Sequence, residues 1–77
     1  MATLWSGSQW KVTTRGVDTI DNKYFIDKSR VHEDDDGRWT WEDQMEEKGW
    51  VDMADFRDAM EFARSRWPKK FDSGLNR

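Results

Sequence analysis

The period of the apolar residues changes once along this chain, and that change limits the folds open to it. From Gln9 to Arg15 the residues alternate, with Trp10, Val12 and Thr14 on one side and Gln9, Lys11, Thr13 and Arg15 on the other. That is the period of a half-buried strand rich in β-formers. Gly16 marks a bulge or bend, after which Val17, Thr19 and Ile20 continue the strand, and Asp21-Asn22 is a turn signal. Tyr24-Phe25-Ile26 opens a second strand running towards Val31, and Asp35-Asp36-Gly37 suits a hairpin turn. A short third strand then sets Trp39 and Trp41 on one face and Thr40 on the other.

Beyond Thr40 the period becomes helical. Thr40 with Asp43 fits a capping box, and Trp41, Met45 and Lys48 fall at helical spacing before Gly49 stops a short helix. Asp52 is a good N-cap, with Asp55 three residues on, for a longer helix whose stripe is Met53, Phe56, Met60, Ala63 and Trp67. Pro68 ends it. Strands first and helices after predict an α+β domain: a three-stranded antiparallel meander, then a short helix and a longer C-terminal helix. Residues 1–68 form this single domain and 69–77, polar and holding Gly74, form a flexible C-terminal tail.

A chain of 77 residues buries only roughly 60–65% of its unfolded surface, so its margin of stability is thin. No cysteine is present to staple it, and only 35% of its residues are apolar. Six Trp, four Phe and one Tyr must therefore supply the core. The expected members are Trp10, Val12, Ile26, Trp39, Trp41, Met45, Trp50, Phe56, Met60 and Ala63. Met1 to Trp5 lacks a basic region followed by an apolar stretch, and no run reaches the ~18 apolar residues of a membrane span. A cytoplasmic protein with no membrane contact is the expectation.

Charge is strongly polarised. Residues 31–62 hold twelve of the sixteen acids and three bases, a local balance of −9, against +2 before them and +4 after. Part of this is ordinary: acids suit the first turn of a helix, and Asp34 to Asp36 fill a turn. Their accumulation in one stretch is what those roles leave over. In the long helix Asp55, Asp58 and Glu61 repeat every three residues away from the stripe. Phe62 falls among them, about 180° from Met53 by helical rotation, as an exposed aromatic anchor in an acidic rim. Carboxylates every ~4.5–5 Å along a helix approach the charge density of a nucleic-acid backbone. Such a surface is steered to basic targets and weakens with salt.

In its size, lack of cysteine, and the runs Glu33-Asp34-Asp35-Asp36 and Glu42-Asp43-Gln44-Met45-Glu46-Glu47, the chain resembles the small acidic proteins by which phages and mobile elements disarm bacterial defence, anti-CRISPR proteins among them. The resemblance implies inhibition by binding without chemistry, at the basic surface where a nucleic-acid-binding complex such as a CRISPR surveillance complex accepts target DNA. The candidate contacts are Glu33, Asp34, Asp35, Asp36, Glu42, Asp43, Glu46 and Glu47, with Asp55, Asp58 and Phe62 as a second patch.

Other chemistries find less support. One His cannot complete a zinc site, and an EF-hand loop read from Asp34 puts Trp39 where Gly belongs and Met45 where Glu belongs. No Cys nucleophile, Gly-x-Ser-x-Gly or Gly-rich phosphate loop is present, so neither enzyme nor cofactor is expected. Trp10, Trp39 and Trp41 alternate as nucleic-acid stacking platforms do, but acids rather than bases adjoin Trp39, and a core role is favoured. Arg64, Arg66, Lys69 and Lys70 complement a helix C-terminus or contact phosphate. They also allow a homodimer in which the basic end of one copy meets the acidic middle of another. A housekeeping interaction module, dimeric and acidic for solubility, is the alternative to an inhibitor.

Overall fold

The computed structural model describes residues 2–69. Four strands, β1 (Thr3–Ser6), β2 (Trp10–Thr13), β3 (Gly16–Thr19) and β4 (Phe25–Asp27), form an antiparallel meander in sequence order. Two helices follow, α1 (Trp41–Glu47) and α2 (Ala54–Arg66). The class is α+β as expected, but the sheet has four strands rather than three.

Each difference has a local cause. Gly16 does not bend one long strand; it opens β3 after a two-residue turn at Thr14-Arg15, opposite Thr13. At φ +151° it lets β4 pass close by, since a Cβ there would strike the Ile26 carbonyl and lie 2.8 Å from the Lys28 nitrogen. Thr3-Leu4-Trp5-Ser6, not anticipated as a strand, pairs with β2 through a register shift between Thr3 and Trp5. The Asp21-Asn22 turn is present: Asn22 takes φ +62°, and the buried Thr19 hydroxyl accepts the amides of Lys23 (2.8 Å) and Tyr24 (3.1 Å).

No strand forms at Trp39–Trp41, and Asp35-Asp36-Gly37 joins no hairpin. The Asp27 carboxylate accepts the Ser29 amide at 2.9 Å, turning the chain out of β4 into one 3-10 turn (Lys28–Arg30) and a run of turns to 36. Thr40 instead caps α1 in the expected box: its hydroxyl accepts the Asp43 amide (2.9 Å), and Asp43 accepts the Thr40 amide (3.1 Å). Gly49, at φ +96°, closes that helix. Asp52 does not cap α2, whose first flanking residue is Met53 with no side-chain cap.

Helix α2 lies on β1, β2 and β3. Trp10, Val12, Val17, Ile26, Val31, Trp41, Met45, Phe56, Ala59, Met60 and Ala63 fill the core between them. Trp10 sits at its centre, against Phe56 at 4.7 Å, Trp50 at 5.4 Å and Tyr24 at 6.2 Å between ring centroids. Trp39 and Trp50 are partly rather than fully buried. The tail expected at 69–77 falls outside the described residues from 70 onward, while Lys69 lies 3.0 Å from Asp35. Among the described residues no helix is long and apolar enough to cross a membrane.

Candidate acidic interface

The structure divides the acids between those that hold the chain together and those that face outward. Asp55 belongs to the first group. Its carboxylate accepts the backbone amides of Ser8 (3.2 Å), Gln9 (2.8 Å) and Trp10 (2.8 Å), gripping the β1–β2 turn from the first turn of α2. A side chain at Gly7 would collide with that carboxylate.

Asp34 is equally committed. Its side chain is 8% exposed and receives the Arg64 guanidinium at 3.0 and 3.1 Å and the Trp41 amide at 3.0 Å. Arg64 also donates to the Val31 carbonyl (3.1 Å), and the Trp41 indole donates to Arg30 (3.1 Å). This network pins the 31–41 segment to α2, which is why that segment wraps as turns instead of adding a strand. The other members of the quartet are ion-paired too: Glu33 with Arg30 (2.9 Å), Asp35 with Lys69 (3.0 Å), Asp36 with Arg38 (3.3 Å), and the His32 ring lies 3.2 Å from Asp35. Burial pushes the Asp35 carboxyl up, but the Lys69 hydrogen bond and charge, with His32, outweigh it and hold the group below the ordinary 3.8.

No family model, curated protein or solved structure matches this chain.

The outward group lies on the two helices. Glu42 takes the Arg57 guanidinium at 2.9 and 3.2 Å, joining α1 to α2. The Glu42 hydrogen bond and charge, with lesser help from Asp58 and Glu61, push Arg57 above its usual value. Glu46 lies one turn beyond Glu42 on the same face of α1, and Glu61 one turn beyond Arg57 on α2. Glu46, Arg57, Asp58 and Glu61 are exposed and Glu42 partly so; they share one surface with a single cation in it. Among the described residues Asp43, Glu46, Glu47, Asp58 and Glu61 form no ion pair. Asp43 is spent on the helix cap.

Phe62 is not the exposed anchor expected from the helical wheel; it is half-buried against the core. The wheel took Met53 as the centre of the stripe, but Ala59 is fully buried, which shifts the buried arc. Phe62 lies only about 60° from Ala59. Among the described residues the exposed large apolar side chains are instead Val51, 92% exposed in the loop between the helices, and Ile20 and Phe25 in the sheet region. Among the described residues no group of three His, Asp or Glu side chains is arranged to hold a metal ion.

Glu46 and Glu47, both candidate contacts from the sequence, stand at an unusual place in their helix. They occupy the last turn of α1, where no base accompanies them. The negative end of the helix dipole disfavours carboxylates there. Lys48, next in sequence, has its ammonium over the Tyr24 ring at 5.4 Å. Gln44, one turn before it, donates to the hydroxyl of the same Tyr24 (2.8 Å).

Proposed function

We propose that this chain is a non-enzymatic acidic binding protein that covers the basic surface of a nucleic-acid-handling partner. It acts as an inhibitor of the anti-CRISPR kind, using the helix carboxylates Glu42, Glu46, Glu47, Asp58 and Glu61. The observation that carries this is the placement of Glu46 and Glu47. Two adjacent carboxylates at the disfavoured end of a helix, in no ion pair among the described residues, are costly to the fold. A partner's lysines or arginines supply what the chain withholds. Glu33, Asp34, Asp35 and Asp36 have their charge answered internally, so the quartet supports the surface instead of forming its centre.

Charge reversal separates binding from folding. Glu46→Lys/Glu47→Lys should raise thermal stability, because cations suit that helix end, by about 0.5–1.5 kcal/mol. The same variant should lose salt-sensitive capture of basic nucleic-acid-binding complexes from bacterial lysate and lose inhibition of DNA binding by the complex recovered. Capture and inhibition unchanged from the parent would assign these acids to solubility and favour a plain interaction module.

A further inference from the structure

The face of the sheet turned away from α2 carries a second constellation, unrelated to the acidic helices. In β2, β3 and β4, Lys11, Asp18 and Phe25 are paired residue by residue across the strands and make one row. The row lies in a cleft of about 520 Å³, which Thr3, Thr13, Arg15 and Asn22 complete. The Arg15 guanidinium lies over the Phe25 ring, 5.3 Å from its centroid, and Phe25 is among the most exposed large apolar residues.

Asp18 is the unusual member. Its Oδ1 is shielded from solvent and accepts no hydrogen bond, although Lys11 is its direct cross-strand neighbour. Among the described residues neither Lys11 nor Arg15 is in an ion pair. A shielded carboxylate oxygen without a donor is disfavoured until something donates to it. A cation over an aromatic ring and a second cation at the far end of the same row favour a ligand that is both flat and anionic.

We propose that this cleft binds a guanine mononucleotide. Guanine presents two adjacent N–H donors, N1 and the exocyclic amine, which match the two oxygens of one carboxylate. Adenine and cytosine offer one amine beside a ring-nitrogen acceptor, which the Asp18 carboxylate repels. The purine stacks on Phe25 in place of the Arg15 guanidinium, which, long and flexible, turns aside with Lys11 to meet the phosphate. A cleft of this size is within the range that holds one small ligand. The acidic helices take no part in it.

The full chain should be titrated with GMP, AMP and inorganic phosphate while backbone amide NMR shifts are followed. GMP should bind at least about tenfold more tightly than AMP, the scale of discrimination a bidentate pair provides, with shifts centred on Lys11, Asp18 and Phe25. Asp18→Asn should abolish the preference for GMP and leave the fold intact by circular dichroism. Phe25→Ala should weaken GMP and AMP alike. No binding, equal responses to GMP, AMP and phosphate, shifts centred on the helices, or a response only to guanine-containing oligonucleotides would each overturn the proposal.

Discussion

Replacing Asp55 by alanine tests whether the acidic helix face is scaffold or surface at that position. The carboxylate accepts three backbone amides of the β1–β2 turn, and one of them, Trp10, is part-buried. Water can replace the acceptor for Ser8 and Gln9, which are exposed, so their share of the loss is small. The Trp10 amide would be left without a partner on a residue whose indole N–H already lacks one. An orphaned amide plus the lost charge-assisted bonds come to about 2–4 kcal/mol. A chain of this length has about 4–12 kcal/mol in total, and about 4–8 °C of Tm is lost per kcal/mol. The expected fall in Tm is about 8–32 °C.

Asparagine should do little better, because its NH2 would face amide donors where an acceptor is needed. Asp58→Asn on the same helix, exposed and without an ion pair, should stay within about 0.5 kcal/mol of the parent. Thermal and urea unfolding of the three variants give the comparison. If Asp55 mattered only as an acid in the first helical turn, its removal would shift stability by no more than about 1 kcal/mol. A loss that small, or an equal loss for Asp58→Asn, refutes the grip on the β1–β2 turn.

Three further outcomes follow from contacts described above. Gly16→Ala should cost at least about 2 kcal/mol and selectively expose β4 amides to hydrogen exchange, because the new Cβ meets the Ile26 carbonyl and the Lys28 nitrogen. Asp34→Asn should cost about 1.5–3 kcal/mol by urea unfolding, leaving Arg64 without its carboxylate, while Asp36→Asn, at an exposed pair, should stay within about 0.5 kcal/mol. Stability should fall as pH drops through and below about 4: the Ser29 hydroxyl and amide depress Asp27, a Thr19 hydrogen bond depresses Asp21, and Lys69 and His32 depress Asp35. A depressed folded-state carboxyl stabilises fully above its unfolded value and loses that contribution as pH falls through its folded one. Asp27→Asn should flatten this decline in the urea midpoint.

How much of this was legible in the sequence depended on the range of the interaction. Several local signals held: Thr40 and Asp43 three residues apart made the cap, Gly49 ended α1, Asp21-Asn22 made the turn, and Phe56, Met60 and Ala63 of the α2 stripe were buried, though Asp52 and Asp35-Asp36-Gly37 did not make the cap and hairpin expected of them. Strand count failed where the pattern was too short to show a period. Thr3-Leu4-Trp5-Ser6 offers four residues, and its register shift breaks the alternation. Trp39-Thr40-Trp41 alternates well but serves a cap and a helix start, since Asp34 draws the Trp41 amide into a network with Arg64, thirty residues beyond Asp34. Nothing in the spacing of Asp34, Asp55 or Arg64 announces that partnership. Carboxylates that look alike in sequence take opposite roles because their partners are distant.

That division follows from the scarcity of apolar residues. With 35% of its residues apolar and 38% charged, the chain cannot hold every loop by hydrophobic burial. It fixes the β1–β2 turn with Asp55 and the 31–41 segment with Asp34, each accepting backbone amides that hydrophobic side chains could not satisfy. Acids used so are partly neutralised or desolvated and contribute little to a long-range field. The field must then come from carboxylates without an ion pair, and among the described residues Asp43, Glu46, Glu47, Asp58 and Glu61 of α1 and α2 are of that kind. The longest acidic run in the sequence is thus the one most fully answered by cations of the same chain. Glu46 and Glu47 stand instead against the dipole of their own helix, a local conflict that the fold tolerates without resolving.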